Sequence, residues 1–144
     1  MTNFQTLLAL ALLAGTGSLP ALAQETASPA ATPAAAPAPL LRHSNKWRLE
    51  VSEGANNEGV IRFRFTPKDG TAFEIPVNLK DGRGEDGVAR DIRDTFKKSL
   101  DKDYYKVELD DGEDVLVKVR KGAPVAIEIA EQTVKGTRIN LDPE

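Results

Sequence analysis

The chain has 144 residues with 19 basic and 22 acidic side chains, which give a net charge of −3. A net charge so close to zero does not favour nucleic acid or anionic lipid as the partner of the whole molecule. The chain contains no cysteine, so disulfides, thiolate metal sites and thiol catalysis are excluded.

The first 23 residues have the pattern of a secretory signal peptide. The apolar run Leu7–Ala14 is followed by glycines and Pro20, and Ala21–Ala23 supplies a small-x-small cleavage site. A membrane-spanning helix needs about 20 apolar residues, more than this run offers. We therefore predict export to the periplasm or the extracellular space, with cleavage between Ala23 and Gln24 and no transmembrane segment in the mature chain.

Residues 24–44 are predicted to form a leader without a core of its own. Its segment Ala27–Pro39 is almost wholly alanine and proline, and proline neither continues a helix nor donates to a sheet. Such a tract is typical of an extended, semi-rigid spacer. The composition then changes to alternating apolar and charged residues, which predicts one domain over residues 45–144.

Alternation of apolar and polar residues predicts strands with one buried face, as in antiparallel sheets. The alternating segments are Trp47–Val51, Ile61–Phe65, Phe73–Leu79, Tyr105–Leu109, Val115–Val119, Val125–Ile129 and Ile139–Leu141. Asp69-Gly70 and Asp111-Gly112 are predicted to be hairpin turns, because Asp-Gly tolerates positive φ. Pro76 cannot donate to a ladder, which predicts an edge strand or a bulge.

One segment has a different period and is predicted to be a helix. Val88, Ile92, Phe96 and Leu100 are each four residues apart, which places them on one helical face. Asp86 is predicted to cap its N-terminus. The predicted fold is α+β, in the order β-β-β-α-β-β-β with a further strand suggested at the C-terminus. The amphipathic helix packs on one face of a mainly antiparallel sheet.

Two motifs suggest ligands, but both are better explained as loops. Gly82–Gly87 satisfies G-x-G-x-x-G, yet Glu85 and Asp86 stand where a pyrophosphate would bind, and the preceding strand alternates. Asp110–Asp114 is rich in carboxylates, but its spacing does not fit a calcium-binding EF-hand loop. We predict a solvated hairpin tip there, and neither a cofactor nor a metal site in the chain.

Catalytic chemistry has little support in the sequence. The single histidine, His43, lies at the junction of leader and domain, so no Ser–His or Cys–His pair can form. The predicted class is therefore a non-enzyme.

The candidate partner-binding residues are basic side chains on the predicted wet faces of the strands, where neighbouring strands could align them into a stripe. They are Arg62, Arg64, Lys118 and Arg120.

Together these features predict an exported binding domain whose partner is another protein or an envelope component. One alternative is an inhibitor or immunity protein against an exported hydrolase, in which the acidic hairpin plugs an active site. Another is an enzyme that uses carboxylates alone.

Overall fold

The computed structural model describes residues 40–144. The predicted signal peptide, its cleavage site at Ala23 and Gln24, and the leader up to residue 39 lie outside the described residues. The described elements are β1 (Lys46–Val51), β2 (Gly59–Pro67), β3 (Phe73–Leu79), α1 (Glu85–Ser99), β4 (Tyr105–Asp110), β5 (Asp114–Val119), β6 (Val125–Gln132) and β7 (Ile139–Pro143).

The strands form two antiparallel sheets, one of four strands in the order β4-β5-β1-β7 and one of three in the order β3-β2-β6. The predicted α+β class and the order β-β-β-α-β-β-β are confirmed, and the further C-terminal strand is β7. Pro76 lies in β3 opposite Arg62. Because β3 is an edge strand, the missing N–H of Pro76 interrupts no second ladder.

The predicted alternation holds along β1, β2 and β3, whereas β5 and β6 each begin with a run of consecutive buried residues. In β2, Ile61, Phe63 and Phe65 are buried, while Arg62 and Arg64 between them are exposed. A register shift of one residue would move this whole apolar set to the solvent side, so the burial of one face fixes the pairing.

Helix α1 buries the predicted stripe: Val88, Ile92 and Phe96 are inaccessible to solvent. The predicted cap is wrong, because Gly84 occupies the N-cap position without a side-chain hydrogen bond. Asp86 instead lies in the first turn, where a carboxylate interacts favourably with the positive end of the helix dipole.

The helix holds the two sheets together on one side of the molecule. It contacts β3, an edge of one sheet, and β4, an edge of the other. The Phe96 ring meets those of Phe63 and Phe65 edge to face, with centroids 5.1 and 5.2 Å apart. Such pairs contribute about 0.5–1.5 kcal/mol beyond the area that they bury.

A second junction joins the sheets at the start of β1. Ser44, the last residue of the predicted leader, forms a β-bridge with Val125 at the start of β6. The indole N–H of Trp47 donates a buried hydrogen bond of 2.8 Å to the Val125 carbonyl. The buried indole N–H therefore has a partner, as a stable core requires.

Both predicted Asp-Gly turns connect neighbouring strands. Asp111 and Gly112, with φ of 47° and 85°, turn the chain between β4 and β5. The Gly70 N–H donates to the Pro67 carbonyl between β2 and β3. No helix within residues 40–144 has the length and apolar character needed to cross a membrane.

Candidate functional site

The first two predicted partner-binding residues lie on the outer face of the three-stranded sheet, among carboxylates. Arg64 binds Glu74 with both Nε and Nη2, at 3.1 and 2.7 Å. Arg62 lies 3.6 Å from Glu74 and 3.2 Å from Glu131. These arginines hold the pKa of Glu74 below its ordinary value, the Arg64 hydrogen bond being the main cause. The charges of this face are therefore largely balanced within the domain.

The other two predicted residues belong to the four-stranded sheet. Lys118 on β5 forms an ion pair of 3.1 Å with Glu108, whereas Arg120 follows the end of β5 and is exposed. The structure thus divides the predicted set between two sheets, with Arg62 and Arg64 together on one of them.

A third charged region, on the outer face of β1, is also balanced. Arg48 lies 2.5 Å from Asp114, 2.9 Å from Glu144 and 3.5 Å from Asp110. The hydrogen bonds to Glu144 and Asp114 raise the pKa of Arg48 above its ordinary value. Asp114, one of the carboxylates in the acidic hairpin, is buried and engaged in this cluster.

A different arrangement lies between the C-terminal end of α1 and β4. A groove of about 300 Å³, which we call the basic groove, opens there. Its walls carry four cationic side chains and its floor is apolar, and none of the described residues that line it is a carboxylate. The lining residues are Lys97, Leu100, Lys102, Tyr105, Lys106, Val107 and Arg120.

Three of the four cations in the basic groove have no ion pair among residues 40–144: Lys97, Lys102 and Arg120. Lys106 is the exception, since its Nζ lies 2.7 Å from Glu108. Hydrogen bonds from Lys106 and then from Lys118 hold the pKa of Glu108 below its ordinary value. An anion that enters the basic groove therefore meets cations whose charge is not already neutralised by the described domain.

The local sequence explains how these cations come together. Helix α1 ends at Ser99, and the next turn is held by the Tyr105 N–H, which donates to the Asp101 carbonyl at 2.8 Å. The Asp101 carboxylate accepts a hydrogen bond from the Asp103 N–H and so stabilises this turn. The Arg120 N–H donates to the Tyr104 carbonyl at 2.7 Å, which brings the end of β5 beside this turn.

Tyr105 forms part of the floor and links the basic groove to the core. Its ring meets that of Phe65 edge to face at 6.5 Å. Burial, and after it the charge of Asp69, raises the pKa of the Tyr105 phenol above its ordinary value. The phenol therefore stays neutral at physiological pH and does not offset the positive charge of the groove.

A second groove, on the other side of α1 against β3, mixes both signs of charge, and we call it the mixed groove. Arg83 binds Asp91 through two hydrogen bonds, of 2.8 Å from Nε and 2.5 Å from Nη2. These bonds raise the pKa of Arg83. The lining residues are Asn78, Lys80, Arg83, Asp91, Asp94, Thr95 and Lys98.

The glycine-rich motif lies at the N-terminal end of α1, packed against a neighbouring loop. A Cβ on Gly54 would stand 2.4 Å from the Arg83 carbonyl oxygen, so this approach requires glycine. The Ala55 N–H donates to the same oxygen at 2.7 Å. Glu85 and Asp86 occupy the first turn of the helix, as their position in the sequence implies.

The acidic hairpin turn lies beside this end of the helix, because a Cβ on Gly112 would stand 3.2 Å from Asp86 Oδ1. Within residues 40–144, no three His, Asp or Glu side chains are grouped so that they could hold a metal ion.

Of the residues that line the basic groove, Arg120 alone is among the partner-binding candidates predicted from the sequence. Lys97, Lys102 and Lys106 lie on α1, on the turn that follows it and on β4. Only the placement of α1 beside β4 brings these separate segments together. No protein-family model matches the chain, and no match is found among the curated proteins.

Proposed function

We propose that this protein is an exported, non-enzymatic binding domain, and that it engages an acidic partner through the basic groove. The observation that carries the proposal is the absence of carboxylates among the described residues that line this groove. The chain as a whole has a net charge of −3, so a local concentration of four cations is a departure from its average. Such a patch attracts an oppositely charged partner and steers its approach.

The interaction of cations with the helix dipole accounts for only part of the arrangement. Lys97 and Lys98 lie in the last turn of α1, where a positive charge is favourable. Lys102, Lys106 and Arg120 lie outside the helix, on a turn, on β4 and after β5. Gathering these residues without carboxylates increases electrostatic repulsion within the fold, which a bound acidic partner relieves.

Export is supported by the sequence features of residues 1–23. The test is to express the full chain in a bacterial host and measure the mass of the protein recovered from the periplasm. A mass that begins at Gln24 supports the proposal. A protein with the complete N-terminus that stays in the cytoplasm contradicts it. Ala23→Lys is the matched variant, since a long charged residue at the cleavage site blocks processing.

Binding through the basic groove is tested by affinity capture from a periplasmic extract with purified full-length mature protein. Lys97 and Lys98 are adjacent and exposed, but they line different grooves. A partner bound by the unchanged protein and by Lys98→Glu, but lost with Lys97→Glu, supports the proposal. A partner bound equally by both variants contradicts it. If the partner is a hydrolase that the protein inhibits, the inhibitor form of this function is favoured.

A further inference from the structure

We infer that the natural occupant of the basic groove is an extended acidic peptide segment of a partner protein, with an apolar side chain among its carboxylates. This inference rests on the proposed function and specifies the chemistry of the partner. It is carried by three features that coincide in one groove: cations without carboxylates, an apolar floor and an unpaired main-chain segment.

The apolar floor favours a peptide over a purely ionic ligand. Leu100 and Val107 form it together with the ring of Tyr105. Leu100 and Val107 retain only 7% and 6% exposure, and Tyr105 is half-buried. An apolar side chain placed on this floor is removed from water, which contributes about 25 cal/mol per Å² of buried area. A polyphosphate has no apolar group that gains from this surface.

The main chain of β4 adds hydrogen-bonding groups to the basic groove. Along β5, Val119 pairs with Asn45 of the β1 side, while Arg120 pairs with Tyr104 of the β4 side. In an antiparallel ladder, alternate residues of a strand direct their N–H and C=O groups to opposite sides. Val107, which lines the groove, therefore directs its N–H and C=O away from β5, to the open edge of the four-stranded sheet, and no partner for them occurs among residues 40–144.

The cations define what stands next to the apolar side chain. Lys97 and Lys102 lie on the helix side of the groove, and Lys106 and Arg120 on the sheet side. A peptide whose apolar residue rests on the floor places its neighbouring side chains towards these two walls. Carboxylates at those neighbouring positions form charge-assisted hydrogen bonds with the walls, while the peptide backbone can bond Val107, as edge strands do with extended partners.

The test measures the affinity of purified full-length mature protein for three ligands at low salt. The first is a blocked, fluorescently labelled peptide in which one leucine stands between two pairs of glutamates. The second is the same peptide with serine in place of leucine, and the third is inorganic polyphosphate. We expect the leucine peptide to bind roughly tenfold more tightly than the serine peptide, as burial of one leucine side chain predicts. Lys97→Glu should weaken this binding at least about tenfold, and Lys98→Glu should change it less than about twofold.

The outcomes separate this inference from the proposed function. If the two peptides bind with equal affinity and both lose binding with Lys97→Glu, the proposal of an acidic partner stands. The inference that an apolar side chain of the partner binds the groove floor is then wrong. Polyphosphate binding that exceeds both peptides would overturn the peptide class. A dimer that Lys97→Glu dissociates would make a second copy of the chain the occupant. Failure of all three ligands to bind would contradict the proposed function itself.

Discussion

The two grooves on either side of α1 share one helix yet differ in how their charges are arranged. The mixed groove carries both signs, and its Arg83–Asp91 pair is held by two hydrogen bonds within the domain. The basic groove carries four cations and no carboxylate among the described residues that line it. An ion pair whose two side chains bind each other stabilises the fold and leaves little charge to attract a ligand. Cations without partners contribute little to the fold and are available for binding.

The same contrast separates the basic groove from the sheet faces. Arg62, Arg64 and Arg48 each lie beside at least one carboxylate of the domain. Ion pairs on a surface such as the Arg64–Glu74 pair stabilise a fold only weakly, and salt weakens them further. The candidate binding surface is therefore distinguished by cations that lack carboxylate partners among the described residues, and not by the number of basic residues.

The largest expected effect comes from weakening the core packing of α1, the helix that lies between the two grooves. Phe96 is fully buried and packs against Phe63 and Phe65. Phe96→Ala should lower the free energy of unfolding by about 3–5 kcal/mol, because it removes a large side chain and leaves a cavity. Urea denaturation followed by tryptophan fluorescence measures this change. A loss below about 1 kcal/mol, the usual scale of a surface substitution, would show that α1 does not join the two sheets as described.

The next effect separates the grooves directly. Lys97→Glu places a negative charge in the basic groove and should weaken the leucine-containing acidic peptide at least about tenfold. Lys98→Glu places the same charge one residue further along, on the mixed groove, and should change the affinity less than about twofold. Fluorescence anisotropy measures both affinities. Equal losses for the two variants would mean that only the overall charge of the domain matters.

A smaller effect concerns the self-contained pair of the mixed groove. Arg83→Ala should lower the free energy of unfolding by about 0.5–1 kcal/mol, because Asp91 loses both hydrogen bonds. Arg90→Ala is the control: among residues 40–144 the ion-pair partner of Arg90 is Asp86, at 3.6 Å, and both side chains are more than half exposed. Chemical denaturation should order the variants accordingly, with peptide binding unchanged in both. Weaker peptide binding by Arg83→Ala would remove the distinction between the grooves.

The smallest effect concerns Glu108, which partly compensates the basic groove through Lys106. Glu108→Gln should raise the affinity for the acidic peptide about two- to threefold, because Lys106 then has no ion-pair partner. An unchanged or lower affinity would mean that Lys106 does not contribute to binding.

Glu108→Gln should also change how the stability of the fold depends on pH. The pKa of Glu108 is lowered in the folded chain, so its ion pairs stabilise the fold above the ordinary carboxyl pKa. That stabilisation disappears as the pH falls through the lowered pKa. In Glu108→Gln this part of the acid-induced loss should be missing, which thermal unfolding between neutral and acidic pH measures. Identical pH profiles for the two proteins would contradict the lowered pKa.

The elements of this fold could be predicted because local periodicity determines them. The period of two along Ile61–Phe65 and the four-residue spacing of Val88, Ile92 and Phe96 each reflect one buried face. Pro76 indicated an edge strand for a different local reason, since proline removes a ladder donor.

Beyond the two hairpins at the Asp-Gly turns, the neighbours of the strands could not be predicted, because alternation fixes faces and leaves strand order open. β1 pairs with β5 and β7, both far along the chain, so Arg62 and Lys118 lie in different sheets. The basic groove depends on the same long-range placement, which brings Lys97 of α1 and Arg120 after β5 into one groove beside β4.

The basic groove should bind acidic ligands, because its cations lack carboxylate partners, and the mixed groove should not. The most direct measurement is a titration of isotope-labelled full-length mature protein with the leucine-containing acidic peptide, followed by the shifts of the backbone amide resonances. The largest shifts should occur at Val107, Lys102 and Arg120, with the amides of Arg83 and Asp91 unmoved. Shifts that cluster at Arg83 and Asp91, or that spread evenly over both sides of α1, would contradict this prediction.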